Sequence, residues 1–399
     1  MYLTVLFLSA WWNRKTKIAI LSVVISTFIG WPFTALISLP FLYDVLVRRR
    51  MFKSFIFWSF FFTILIGIPL VLVDSYFYGR LTFAPINILV YNIFSSHGPN
   101  LFGIEPKYFY VINLFLNFNI AWCFALIYPL IIVVFKSIHY LKLCKSCLEL
   151  EPFWKTSPLF IWLVVFTLQP HKEERFMFPV YPLLSLCGAL CCSTIVKLFC
   201  HGQHLKHSFS FMYSRLISSL LSVFFLLFSL SRIFALYTYY HAPMELTEQL
   251  GSTLVEQNIC IGKDWYRFPG SFFLPDNYQL RFIASSFDGI LPAYYDETEK
   301  GSRIVHSYFN NLNIAHHHML FEISKCDYLI DLDLDNEYIP DEIEPNYSAN
   351  GQSWKIIKSI PFLDTNKSSK FFRSFYIPYA NSRFIRFGNF NLLKRIMKL

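Results

Sequence analysis

Residues 54–73, SFIFWSFFFTILIGIPLVLV, are twenty consecutive apolar or small residues without a charge. At 1.5 Å per residue a helix of that length covers about 30 Å, the hydrocarbon thickness of a bilayer. A helix apolar on every face needs either lipid or a very large core around it. Further runs at 109–135, about 152–169, 176–198 and 215–238 repeat the pattern. The 399-residue chain is 55% hydrophobic and 15% charged, with a mean hydropathy of +0.41. Soluble domains carry about 25% charged residues, so a water-soluble enzyme is a poor fit. Disordered and collagen-like classes are excluded by the apolar content, and a disulfide scaffold by only nine cysteines. The sequence predicts a polytopic α-helical membrane protein.

Charge is unevenly placed. Residues 1–238 hold 19 Lys and Arg against 7 Asp and Glu, whereas residues 239–399 hold 16 against 19. A basic multi-span part (1–238) followed by a slightly acidic soluble domain (239–399) is expected. Nucleic-acid binding is disfavoured because the cations sit between apolar runs. Cationic loops at Arg14–Lys17, Arg48–Lys53, Lys136–Lys155 and Lys197–Arg215 share one side only if residues 18–47 enter and leave on that side. Gly30-Trp31-Pro32 interrupts that thirty-residue run, which predicts a re-entrant hairpin. The tail after 238 then lies on the opposite, lumenal side. Two acceptor sequons there, Asn346-Tyr347-Ser348 and Asn366-Lys367-Ser368, agree with it. Short β-like runs at Asn258–Ile261, Tyr278–Ile283, Asp327–Leu332 and Trp354–Ile360, separated by turn residues, predict a mixed α/β domain. Met1–Trp12 is apolar but too short to span, and has neither a cationic segment before it nor a cleavage site. It reads as the second half of a helix begun upstream, so an N-terminally incomplete chain is expected.

The densest polar cluster beside a span is Gln169-Pro170-His171-Lys172-Glu173-Glu174-Arg175. It is either a charged hairpin tip or a grip for an anionic head group. His, Lys and Arg donate to phosphate oxygens, Arg in bidentate fashion, and would stabilise charge on a departing phosphate.

The string HKEERFMFPVYPL, from His171 on, resembles the motif of glycosyltransferase family 22, of GT-C type. GWPF at Gly30–Phe33, DSYFYG at Asp74–Gly79, APINILVYNIF at Ala84–Phe94 and HGPNLFGIEPKYFY at His97–Tyr110 resemble the same family. So do LNFN at Leu116–Asn119 and GKDWYRFPGSFFLPDN at Gly262–Asn277. Within the family these stretches are most similar to the branch that adds α-1,2-mannose to the lipid-linked N-glycan precursor. The resemblance implies a GT-C-like fold in the endoplasmic-reticulum membrane with a lumenal C-terminal domain. It implies mannose transfer from dolichyl-phosphate-mannose to a mannose hydroxyl of a dolichol-linked oligosaccharide, with inversion. His171, Lys172 and Arg175 are then expected to hold the donor phosphate, and Glu173 and Glu174 to orient those cations. Trp31, Tyr266 and Arg267 are candidates for an acceptor or lumenal surface. The acidic pair of the family's first lumenal loop has no counterpart here, so no catalytic base is assigned; Tyr295-Asp296-Glu297-Thr298 lacks the aromatics that should follow. No metal or cofactor beyond the donor lipid is expected, and partners are the two lipid-linked sugars and membrane lipid. Rival readings are a mannosyltransferase of glycosylphosphatidylinositol assembly and a non-catalytic scaffold or transporter.

The aromatic and amide residues of Asp74–Tyr110 suit sugar recognition and an interfacial belt equally. Trp265-Tyr266-Arg267-Phe268 suits an acceptor surface or packing onto the membrane part. Cys144-Lys145-Ser146-Cys147 is read as reduced thiols, and Cys187, Cys191, Cys192 and Cys200 as packing residues. Cys260 and Cys326 share the lumenal domain, where a disulfide can form. His316-His317-His318 is read as a solvated loop. Asp331-Leu332-Asp333-Leu334-Asp335 departs from a calcium loop at Asn336 and Pro340.

Overall fold

The computed structural model describes residues 1–94, 99–140, 153–202, 207–267, 271–334 and 343–396. The CxxC at 144–147, and Asp335, Asn336 and Pro340 of the Asp-rich stretch, lie outside the described residues. The chain divides into two units, Met1–Ser229 with Glu297–Ile304, and Leu230–Asp296 with Val305–Leu399.

The first unit is helical. Among the described residues four helices are long and apolar enough to cross a membrane: Phe52–Tyr78, Phe109–Val134, Glu174–Val196 and Met212–Tyr240. The helix α1 (Tyr2–Trp12) leads through a turn into α2 (Thr16–Ile25), which ends in a π-type turn over Ser26–Gly30. At Trp31 the backbone is extended, φ −149° and ψ 124°, and Pro32 opens a 3-10 turn to Ser38. Proline has no N–H to continue a ladder and disfavours a helical residue before it, so the run breaks there. Next come α3 (Leu39–Tyr43) and a π-type turn over Asp44–Arg48.

Asp44 is buried, and its carboxylate accepts from Trp11 Nε1 at 3.0 Å, Arg48 at 3.2 Å and Arg49 at 2.5 Å. A buried carboxylate of this kind persists because it is paired, and it fastens α1 to the far end of the broken run. The 27-residue α4 (Phe52–Tyr78) buries only Phe62 and Gly67 and turns Phe57, Phe60, Leu65 and Leu72 outward, as a lipid-facing helix does. It ends at Gly79, where φ is +65° and a side chain would be strained. Arg303, from the inserted segment, donates to Tyr76 O at 2.9 Å and lies 4.7 Å from the Tyr76 ring.

After α5 (Ala84–Phe94), α6 (Phe109–Tyr140) is broken at Asn119 (φ +40°, ψ −121°). The buried Asn119 amide caps its own break: Oδ1 accepts from Ile120 N–H at 2.6 Å, and Nδ2 donates to Ser229 Oγ at 3.1 Å. In an apolar surround that pairing offsets the cost of the kink. The helices α7 (Phe153–Leu168), α8 (Tyr181–Gly202) and α9 (His207–Tyr240) complete the unit's helical framework, α9 running on into the second unit.

The second unit is built on a five-stranded mixed sheet: β1 (Gln257–Ile261), β2 (Tyr278–Phe282), β3 (Tyr328–Asp333), β4 (Trp354–Leu363) and β5 (Phe387–Arg395). The order is β2-β1-β3-β5-β4; β1 runs parallel to β2 and β3, and β5 antiparallel to β3 and β4. The first four follow the β-like runs of the sequence. Cys260 in β1 and Cys326 just before β3 form a disulfide across 66 residues, their Cα atoms 5.9 Å apart. Cys187 and Cys191 are buried free thiols in α8.

Candidate functional site

The polar cluster after α7 is folded, and each of its charges has a definite place. Gln169–Glu173 is a short loop, and Glu174–Val180 is a 3-10 turn that feeds α8. Trp162 Nε1 donates to Phe176 O at 2.9 Å, and Tyr110 donates its hydroxyl to Glu173 O at 3.1 Å. These bonds from α7 and α6 fix the turn from both sides.

Lys172 is 4% exposed. Its ammonium donates to the main-chain oxygens of Glu105 (3.0 Å), Gln169 (2.5 Å) and Pro170 (3.4 Å). Those three bonds use its three protons. Glu105 N–H donates in turn to Pro170 O at 3.0 Å, so the two loops are tied twice. Burial pushes the ammonium below its ordinary pKa; Glu105 works the other way, and Lys107 adds to the lowering.

His171 lies between two acceptors, Gly103 O at 2.9 Å and Glu173 Oε1 at 3.0 Å. Each ring nitrogen thus faces an oxygen, which holds the ring on both edges. Gly103 presents that carbonyl at φ +101°, a conformation that only glycine adopts without strain. Glu173 also takes both arms of Arg175: Nη2 donates to Oε1 at 2.8 Å, and Nε pairs with Oε2. The Arg175 side chain is 69% exposed, so its outer face meets solvent. Glu174 points into a different set, accepting from Asn113 Nδ2 at 3.1 Å and the Tyr181 hydroxyl at 3.4 Å.

Trp31 is brought to this cluster from the broken segment. It stacks on Phe176 with ring centroids 5.1 Å apart and touches Phe166 at 5.3 Å. Trp31, Phe33, Asn92, Phe166, His171 and Phe176 line a cavity of about 90 Å³, with Ile93, Val165 and Gln169 completing the wall. His171 lines this hollow, and Arg175 stands beside it with its guanidinium 6.0 Å from the Phe176 ring. Such a set can bind a phosphate through Arg175 while aromatic faces take apolar or sugar C–H surface.

Tyr266 and Arg267 belong to the second unit. Arg267 donates to Asp264 Oδ1 at 2.7 Å and lies 4.7 Å from the Phe362 ring. The rings of His316, His317 and His318 crowd together, their ligand atoms within 4.8 Å of one another. The sequence reading did not single out Gly103, Tyr110 or Asn113. Asn113 and Asn117, four apart on an apolar helix, were the available signal for a polar face on α6.

The chain belongs to the Alg9-like mannosyltransferase family, whose sequence profile matches residues 1–275. It is 44% identical to the alpha-1,2-mannosyltransferase Alg9 of Drosophila melanogaster over 100% of this chain and 66% of that protein. It is 42% identical to the alpha-1,2-mannosyltransferase ALG9 of Homo sapiens over 99% of this chain and 66% of that protein. A GPI mannosyltransferase 3 of Candida albicans is 29% identical over 46% of this chain. The chain therefore spans about two thirds of the length of the fly and human relatives. No solved structure matches it.

Proposed function

We propose that the chain acts in α-1,2-mannose transfer from dolichyl-phosphate-mannose to a mannose hydroxyl of the dolichol-linked oligosaccharide, in the endoplasmic-reticulum membrane. The observation that carries this reading is Arg175, held bidentately by Glu173 with its guanidinium 6.0 Å from the ring of Phe176, which with Trp31 and Phe166 lines the aromatic hollow. In the reaction the acceptor oxygen attacks the anomeric carbon. The carbon–oxygen bond to phosphate breaks with inversion, and dolichyl phosphate leaves with the electron pair. Arg175 exchanges Glu173 for the phosphate oxygens and stabilises the charge that grows there. His171, held between Gly103 O and Glu173, lies beside it, and Lys172 ties the loop to the Glu105 carbonyl. The acceptor proton passes to a carboxylate that is not assigned to any residue of this chain.

The second unit is placed in the lumen. The Cys260–Cys326 disulfide supports that side, because disulfides persist in oxidising compartments. The glycosylphosphatidylinositol reading is weaker, since the GPI mannosyltransferase matches less than half of the chain. The test is complementation of cells that lack their own enzyme for this step. Membranes are supplied with labelled dolichyl-phosphate-mannose and lipid-linked acceptor, and the product is digested with an α-1,2-specific mannosidase. A labelled, digestible oligosaccharide is expected. Membrane-inserted, folded protein that leaves the acceptor unextended, or that extends a glycosylphosphatidylinositol precursor instead, overturns the proposal.

A further inference from the structure

The two sequons of the second unit are in different states. At Asn346-Tyr347-Ser348 the acceptor groups are part of the fold. Asn346 Nδ2 donates to Asp333 Oδ1 at 2.8 Å, and its Oδ1 accepts from Ala349 N–H at 3.1 Å. The Ser348 hydroxyl donates to Asp331 Oδ2 at 2.5 Å and accepts from Asn391 Nδ2 at 2.9 Å, and Ser348 N–H donates to the same Asp331 oxygen at 2.8 Å. Asp331 and Asn391 are buried, on β3 and β5. The tripeptide is a clamp that fastens a loop to the middle of the sheet.

Asn366 is exposed, in the turn that follows β4. Asp364 Oδ1 shapes that turn by accepting the N–H groups of Asn366 (2.9 Å) and Lys367 (3.1 Å). The Asn366 side-chain amide makes no hydrogen bond among the described residues. Ser368 Oγ is taken up by Arg386, accepting its N–H at 2.9 Å and donating to its carbonyl at 3.2 Å.

N-glycosylation joins the asparagine Nδ2 to the anomeric carbon of a lipid-diphosphate-linked oligosaccharide. The carbon–oxygen bond to the diphosphate breaks, the lipid diphosphate leaves with that electron pair, and the amide gives up one proton. The reaction needs the sequon hydroxyl, so it precedes the burial of Ser368. The completed fold then has to accommodate the glycan. The free, exposed Asn366 amide does so without loss. At Asn346, which is half-buried, the amide is engaged at both ends, so a glycan on Nδ2 has to displace it from Asp333 and loosen the clamp that Ser348 makes with the buried Asp331. We infer that the mature protein carries an N-linked glycan at Asn366 and none at Asn346. This rests on the lumenal placement proposed above.

The test is electrophoretic mobility of the full chain, expressed in insect cells, before and after peptide-N-glycosidase treatment, with mass spectrometry of the released sites. One mobility step is expected, lost in Asn366→Gln and retained in Asn346→Gln. Two steps, or loss of the step in Asn346→Gln, overturns the exclusion of Asn346. A second version carries a flexible Asn-Ser-Thr acceptor tail after Leu399. A modified tail with Asn366 unmodified overturns the Asn366 assignment alone. Tail and Asn366 both unmodified overturns the lumenal placement, and the inference with it.

Discussion

The ammonium of Lys172 lies 3.0 Å from the main-chain oxygen of Glu105, sixty-seven residues earlier in the chain. That bond makes Lys172 the pin between two loops, and it leaves the outer cationic contact to Arg175. Lys172→Met keeps the length of the side chain, removes all three bonds and takes this donor from the Glu105 and Gln169 carbonyl oxygens, whereas Pro170 O keeps Glu105 N–H. It is expected to cost about 1–3 kcal/mol, seen as a lower unfolding temperature of the detergent-solubilised protein. A variant as stable as the parent would show that the three bonds contribute nothing.

Arg175→Met is the complementary case. The guanidinium is largely exposed, so stability should change by no more than about 0.5 kcal/mol. Transfer from dolichyl-phosphate-mannose should fall by about 10²–10³-fold, the range for removal of a group that meets developing charge. Arg175→Lys should recover only part, because an ammonium lacks the bidentate fork. Labelled-mannose transfer by complemented membranes measures both variants. Full activity in Arg175→Met removes the phosphate contact from this residue.

Gly188 on α8 faces α6 at a backbone crossing, where an added Cβ would sit 2.8 Å from Ala121 O. Main chain cannot yield as a side chain can. Gly188→Ala is therefore expected to push the helices apart at about 1–3 kcal/mol. Gly30 is the control: its added Cβ meets nothing closer than Ser26 Oγ at 4.0 Å, and Gly30→Ala should be neutral within about 0.5 kcal/mol. Thermal unfolding of the two variants side by side decides it, and equal effects would refute the close-crossing argument.

What the sequence made legible follows from the range of each signal. The uncharged run at 54–73 is a local property, and it became the apolar, outward-facing α4, long enough to cross a membrane. The four β-like runs were local too. The fifth strand, β5, was missed because Gly388, Asn389 and Asn391 weaken strand propensity in its own stretch. Its place depends on partners: an added Cβ at Gly388 would collide with Asp333 O of β3. The cluster at 171–175 was visible as charge, whereas the assignment of work within it was not. Lys172 and Arg175 look interchangeable in a string. They differ in the fold because one faces the Glu105, Gln169 and Pro170 carbonyls and the other faces water. The pairing of Cys260 with Cys326 needed the register of β1 against β3.

Glu344 and Asp331, in the second unit, give a pH dependence of defined sign. Burial pushes both carboxyls above their ordinary values; bonds from Lys263 N–H to Glu344 and from Ser348 to Asp331 offset part of that. The folded state thus holds these protons more tightly than the unfolded chain. Their contribution is most favourable below the unfolded value, near pH 4. It is lost as pH rises through the raised folded values, and stays level beyond them. Glu344→Gln can keep an oxygen acceptor for Lys263 N–H, 3.0 Å away, while removing the titration. The variant should therefore lose less stability than the parent between pH 4 and pH 7. Unfolding temperatures of the intact protein across that range test it, and parallel curves for the two proteins would rule out Glu344 as a source of the slope.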